Sequence, residues 1–201
     1  MDTVKYDFKL FLQDTSRPAP EDFIPVFHDW IQNQALDELL IDVVDYRHVP
    51  DGPGVILIAH DAHYAIDMAD ERPGLLYSRR RETHPTRNAI RSATERLHSV
   101  LQCALRAALA LEAEPSLAGR VKFRGDELLL RINDRLVSPT LEAFDDLQAH
   151  LQPVLATLYP HDHVQVERHG GPDSRLSMTI RASETSDVAT LHGRLGELSP
   201  V

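Results

Sequence analysis

The chain has 201 residues, 42% of them hydrophobic and 26% charged, which is the composition of an ordinary globular protein. Its formal net charge of −10 argues against general binding to nucleic acid or anionic membranes, since both attract basic surfaces. A single cysteine, Cys103, rules out an intramolecular disulfide. The opening residues are unlike a signal peptide, and no apolar run is long enough to span a bilayer. We therefore expect a cytoplasmic protein.

The first half of the chain predicts one helix among five strands. Apolar residues alternate from Val4 to Leu12, which is the period of a half-buried strand. From Pro20 the apolar spacing becomes helical and includes Phe27 and Trp30. Four further strands are then predicted over residues 39–46, 54–60, 63–67 and 75–80.

The second half contains the strongest helix signal. Apolar residues repeat at spacings of three and four from Ile90 to Leu109, with Pro85 before them and Pro115 after them. A hairpin is predicted at Gly125-Asp126, followed by a helix with Ser138 as its N-cap. Two short strands follow, over 164–166 and 176–180. A weaker helix is predicted at the end, where two glycines lower its helix propensity.

The element order β-α-β-β-β-β-α-β-β-α-β-β predicts an α+β fold. We expect a mainly antiparallel sheet with two or three amphipathic helices on one face. Residues 1–182 are predicted to form a single domain, and 183–201 a C-terminal tail or short helix. The strand-helix-strand order of the first half recurs in the second with little sequence identity. A duplicated ferredoxin-like arrangement is therefore an alternative.

A basic cluster lies between a predicted strand and the start of the long helix. Positive charge at a helix N-terminus opposes the helix dipole, so a compensating partner is expected there. An anion or an acidic protein surface would suit the arginine side chains. A solvated patch balanced by nearby glutamates explains them as well. The candidate anion- or partner-binding residues are Arg79, Arg80, Arg81, Arg87 and Arg91.

Paired histidines are the candidate metal ligands. His60 and His63 are three residues apart, and His161 and His163 flank Asp162. Zinc takes three or four nitrogen, oxygen or sulfur ligands, so such pairs have suitable chemistry. A solvated strand face accounts for His161 and His163 equally well. The sequence has no HExxH or CxxC motif to favour the metal site.

The sequence favours a non-enzymatic binding or assembly module over an enzyme. It has no phosphate-binding loop and no GxSxG element. Several strands are prone to edge pairing, so we expect self-association as a homo-oligomer, in the simplest case a twofold dimer. No cofactor is predicted. The alternative is a metal-dependent hydrolase that uses the paired histidines to hold zinc or another divalent metal. A small-anion sensor that uses the arginine cluster is a third hypothesis.

Overall fold

A computed structural model describes residues 3, 5–16, 18–50, 52–81, 92–169, 175–183 and 185–196. Within these ranges the chain forms eight strands and four α-helices. The strands are β1 Tyr6–Leu12, β2 Leu40–Tyr46, β3 Gly54–Ala59, β4 Ala62–Asp67, β5 Gly74–Arg79, β6 Phe123–Ile132, β7 Val164–His169 and β8 Ser177–Ala182. The helices are α1 Phe23–Asn33, α2 Ala93–Ala113, α3 Leu141–Leu158 and α4 Val188–Gly196.

All eight strands belong to one open sheet with the order β2-β3-β4-β5-β1-β6-β8-β7. Every neighbouring pair is antiparallel. Strand β1 therefore lies near the centre, and β2 and β7 are the two edges. Because successive side chains of a strand point to opposite faces, the register divides the strand residues into two sets.

One set of strand residues packs against the helices. Leu97, Leu101 and Leu105 on one side of α2 are fully buried, as the helical spacing predicted. A single hydrophobic cluster contains these leucines, the buried residues of the other three helices and residues of every strand except β7, whose Val164 and Val166 pack against it. Replacing a leucine in such a core by alanine typically costs about 2–5 kcal/mol. This core fixes the positions of all eight strands.

The other set of strand residues faces away from this core. Phe11, Ala65 and Leu76 are buried, yet they lie outside the hydrophobic cluster that the helices share. No described helix packs on this side of the sheet. We call it the helix-free face.

Helix starts follow local capping chemistry. The hydroxyl of Ser92 accepts a hydrogen bond from the backbone of Glu95, whose carboxylate accepts one from the backbone of Ser92. This capping box starts α2 at Ala93; the predicted start near Pro85 lies outside the described residues. Helix α3 begins at Leu141 with Thr140 as its N-cap, two residues after the predicted Ser138.

The predicted hairpin at Gly125-Asp126 is wrong, because β6 runs through both residues without a turn. A Cβ atom on Gly125 would lie 2.0 Å from the carbonyl oxygen of Ser186. The Gly125 carbonyl also accepts a hydrogen bond of 2.6 Å from the Tyr159 hydroxyl. Glycine is thus needed here for the close approach of another part of the chain rather than for a turn.

The predicted α+β class with an antiparallel sheet is confirmed. Four helices pack against the sheet, rather than the predicted two or three. The last of them, α4, buries Val188, Leu191 and Leu195 in the common core. No helix in the described part of the chain has the length and apolarity that crossing a membrane requires. The cytoplasmic location stays a prediction of the sequence.

Candidate functional site

A row of polar side chains crosses the helix-free face at one end of the sheet. Strand pairing places these residues next to one another on six adjacent strands, from β4 to β7. We call them the polar row. Its members, in sheet order, are His63, Ser78, Asp7, Arg131, Ser177 and His169.

The only carboxylate in this row is Asp7, which is fully buried. Arg131 on the neighbouring strand donates two hydrogen bonds to it, of 2.9 and 2.7 Å. The side-chain amide of Asn133 donates a third, of 3.2 Å. The negative charge of Asp7 is therefore already neutralised by Arg131.

Three more arginines surround this pair. Arg80 follows the end of β5, Arg135 follows the end of β6, and Arg175 precedes β8. Antiparallel pairing brings these three points to the same end of the sheet. Burial and the positive charges of Arg131, Arg135 and Arg80 lower the pKa of the Arg175 guanidinium, and Asp7 opposes this only in part. We call the four residues Arg80, Arg131, Arg135 and Arg175 the arginine end.

The arginine end has an excess of positive charge. Within the described ranges the side chains of Arg80, Arg135 and Arg175 make no ion pair or hydrogen bond with a carboxylate. Subtracting the neutral Asp7–Arg131 pair leaves three positive charges in a chain whose net charge is −10. Guanidinium groups held close together with few acids are the usual chemistry of an oxyanion site.

The opposite end of the same face is also charged, but its charges are matched. Glu127, almost completely buried, lies 2.6 Å from Arg72, 3.3 Å from Arg124 and 3.1 Å from Arg181. Arg124 also binds Asp126 at 2.9 Å, and Arg181 binds Glu167 at 2.8 Å. Three arginines therefore meet three carboxylates. We call this set the paired end.

Lys9 and Asp67 form another ion pair on this face, at 2.5 Å, and both side chains are nearly inaccessible to solvent. Burial lowers the pKa of the Lys9 ammonium, although the charge of Asp67 and its hydrogen bond oppose this. The ammonium also lies 5.4 Å from the ring centre of Phe11. Lys9 is therefore fully engaged inside the protein.

The structure separates the arginines that the sequence grouped together. Arg79 points into the helix side of the sheet, where it is 5% exposed. Arg80 belongs to the arginine end, and Arg81 is an exposed residue next to it. Neighbouring strand residues face opposite sides, which accounts for the divergence of Arg79 and Arg80. Arg87 and Arg91 lie outside the described residues, and their part in anion binding stays a prediction.

Arg79 belongs to a buried polar cluster between the sheet and α2. Its guanidinium donates to the Tyr77 hydroxyl at 2.8 Å and lies 3.7 Å from the Glu38 carboxylate. Tyr77 and Tyr64 each donate a hydrogen bond to Glu38, at 2.5 and 3.1 Å. Burial raises the pKa of both tyrosines and of the nearby Cys103 thiol. A thiol held protonated in this way is a poor nucleophile, so the cluster is structural in character.

The structure does not bring the predicted metal ligands together. His60 is exposed, with Nδ1 2.7 Å from the Asp61 carboxylate, whereas His63 lies on the polar row. His161 and His163 precede β7, which is five strands away from β4, or roughly 24 Å. In the part of the chain that the structure describes, no group of three or more His, Cys, Asp or Glu side chains could hold a metal ion.

Sequence reasoning missed three of the four members of the arginine end. Arg131 carries a usable signal, since it alternates with the buried residues Leu130 and Ile132 and must therefore face outward. Arg135 and Arg175 lie beyond strand ends and carry no such signal.

Comparison with protein-family models, with curated proteins and with solved structures finds no match to this chain. Its function must therefore be argued from the chemistry of the site.

Proposed function

We propose that this protein is a non-enzymatic binding module that captures an anion, or an acidic group of a partner, at the arginine end. The observation that carries the proposal is that three guanidinium groups beside the Asp7–Arg131 pair form no ion pair with a carboxylate in the described ranges. Surface arginines usually have carboxylates nearby in an acidic chain, and the paired end shows that this chain provides them elsewhere.

The surroundings of these arginines support an anion site. No described helix covers this face of the sheet, and Arg80 and Arg135 are exposed, so a ligand can reach their side chains directly. Partial burial of Arg175 strengthens its electrostatic interactions, because fewer water molecules screen it. The Ser177 hydroxyl on the polar row donates to the His169 carbonyl at 3.4 Å, and it would have to rotate away from this acceptor to donate to an oxyanion. The overall charge of −10 repels large polyanions such as nucleic acid and favours a local, compact ligand.

Sulfate provides the first test. A ligand that binds only the folded state adds about 2.7 kcal/mol of stability at a hundredfold excess over its Kd. Urea denaturation with and without millimolar sulfate should show stabilisation of the wild type. The gain should largely disappear in the double variant Arg80→Gln/Arg175→Gln.

The matched control is Arg106→Gln, which removes an arginine that pairs with Asp37 on an exposed part of α2. Sulfate also strengthens apolar burial in any protein, and that general effect persists in every variant. Equal stabilisation of the double variant and the control would contradict the proposal. The further pair Arg87→Gln/Arg91→Gln tests the arginines outside the described residues.

Self-association through the β2 edge is a second candidate function. Leu39, Ile41, Tyr46 and Val49, on or next to β2, are each at least 40% exposed. The outer edge of β2 has no neighbouring strand in the described part of the sheet. Unpaired backbone groups beside exposed apolar side chains favour pairing with a second copy. A twofold pair of β2 strands would extend the sheet into the partner.

Light scattering at high micromolar concentration tests this candidate. We expect a dimer mass for the wild type and a monomer mass for Ile41→Lys. The control is Leu141→Lys, which places the same charge at another exposed leucine at the start of α3. A monomeric wild type would remove the β2 hypothesis and leave the anion site unaffected.

We also infer that the two halves of the fold are related by duplication. From the centre of the sheet outward, the first half runs β1, β5, β4, β3, β2 and the second runs β6, β8, β7. In both halves a strand leads through a helix to a parallel strand at the edge. The hairpin β3–β4 is then an addition to the first half. An experimental structure in which β1-α1-β2 and β6-α3-β7 fail to superpose would contradict this inference.

A further inference from the structure

The number of unmatched charges at the arginine end limits the kind of anion that fits it. Both side-chain hydrogen bonds of Arg131 go to Asp7, so the charge of Arg131 is already neutralised within the protein. Arg80, Arg135 and Arg175 remain, with a combined charge of +3. A single phosphate group carries about −1.5 to −2 at neutral pH and leaves part of this charge unbalanced. Two phosphate groups carry roughly twice that charge and balance it fully.

The spacing of the three arginines agrees with the charge count. Arg80 extends from β5, Arg135 from β6 and Arg175 from β8, and these strands span three strand spacings. Neighbouring strands lie about 4.8 Å apart, so the arginine backbones are spread over roughly 14 Å. The site is therefore wider than one tetrahedral oxyanion.

We propose that the arginine end takes a small ligand carrying two linked phosphate groups. The inference rests on the anion site proposed above and specifies the ligand class for it. Arg80 and Arg175, at opposite sides of the site, each hold one phosphate group, and Arg135 supplies the remaining charge. The bidentate geometry of guanidinium groups suits the oxygens of each phosphate.

Isothermal titration calorimetry with pyrophosphate and with orthophosphate tests the proposal. Both titrations use the full chain at one ionic strength, with EDTA present to remove divalent cations. Pyrophosphate should bind at least about tenfold more tightly than orthophosphate, because it engages two arginines at once. Arg175→Gln should reduce the ratio of the two affinities to about threefold or less, since one phosphate then lacks its partner. The control Arg106→Gln should keep the wild-type ratio.

The possible outcomes separate this inference from the proposed function. Equal affinities for the two anions would overturn the two-phosphate ligand and leave a simple anion site. Tighter binding of a short polyglutamate than of pyrophosphate would also overturn it, in favour of an acidic protein segment. Failure of all three probes to bind would overturn both the ligand class and the anion site.

Discussion

The two charged ends of the helix-free face use the same side chains in different ways. At the paired end, Arg72, Arg124 and Arg181 surround Glu127, and two further carboxylates complete the balance. At the arginine end, Arg131 is matched by the buried Asp7, whereas Arg80, Arg135 and Arg175 form no ion pair with a carboxylate in the part of the chain that the structure describes. Both ends lie on one sheet and are separated by about the length of a strand.

This difference separates charges that are paired within the fold from charges that have no such pair. A buried carboxylate needs partners in the folded chain, because removing it from water is costly. Half-exposed arginines can remain unmatched, since solvent screens part of their repulsion. The paired end therefore contributes to structure, whereas the charge of the arginine end is what our proposal assigns to a ligand.

The largest effect is expected from Glu127→Ala at the paired end. Three arginines would then lose a shared, almost fully buried partner. We expect the free energy of unfolding to fall by about 3 kcal/mol, as for other broken buried ion pairs. Urea denaturation measures it.

Glu167→Ala is the control for Glu127→Ala, because Glu167 also binds Arg181 but is 59% exposed. Exposed pairs contribute about 0–1 kcal/mol. Similar losses in the two variants would mean that the burial of Glu127 does not make it more important for stability than an exposed carboxylate.

A smaller effect of opposite sign is expected from Arg175→Gln. Removing one of several repelling charges should raise the free energy of unfolding by a few tenths of a kcal/mol in low salt. High salt should abolish the gain, since it screens the same repulsion. A loss of stability at low salt would mean that Arg175 has a stabilising partner and that the arginine end does not carry an excess of positive charge.

The smallest effect concerns pH. Burial and the charge of Arg80 hold the pKa of His63 below its usual value of 6.5, while Asp7 opposes them. A bound anion offsets Arg80 and so raises this pKa, which means that the complex takes up protons. Sulfate keeps its charge between pH 7.5 and 5.5, and its affinity should rise about threefold as the pH falls through this range.

The same depressed pKa makes the free protein slightly less stable as the pH falls below 6.5, because the unfolded chain binds the proton more readily. His63→Gln should remove both pH effects. If the sulfate affinity rises equally in His63→Gln as the pH falls, the proton taken up on binding belongs to a residue other than His63. The residues that pair with His63 on the adjacent strands are Ile58 and Ser78. Neither side chain titrates in this range, so neither contributes to the pH dependence.

Much of the fold could be predicted because its signals are local. The period of two in β1 and the helical spacing of α2 depend on residues close together in the chain. The Gly125-Asp126 pair carries the same local signal as a hairpin turn. Its real role depends on Ser186 and Tyr159, which are distant in sequence. No pattern within β6 alone could reveal that contact.

The arginine end was less predictable for the same reason. Arg79, Arg80 and Arg81 are adjacent in sequence, but the alternation of the strand directs Arg79 into the core. Arg135 and Arg175 reach Arg80 only through the strand order β5-β1-β6-β8. Strand order depends on which pairings bury the most apolar surface, and a single sequence shows this poorly.

Strand β1 is the first part of the sheet to be synthesised, yet it pairs with β5 on one side and β6 on the other. One edge of this highly apolar strand therefore stays open until residues 123–132 have left the ribosome. Contacts so distant in sequence slow folding, and an open apolar edge is a site for aggregation. The charged residues Asp7 and Lys9 alternate with the apolar residues of this strand and place charge on its helix-free face. Before they join their partners in the finished sheet, we expect these two charges to disfavour pairing of the nascent strand with other chains.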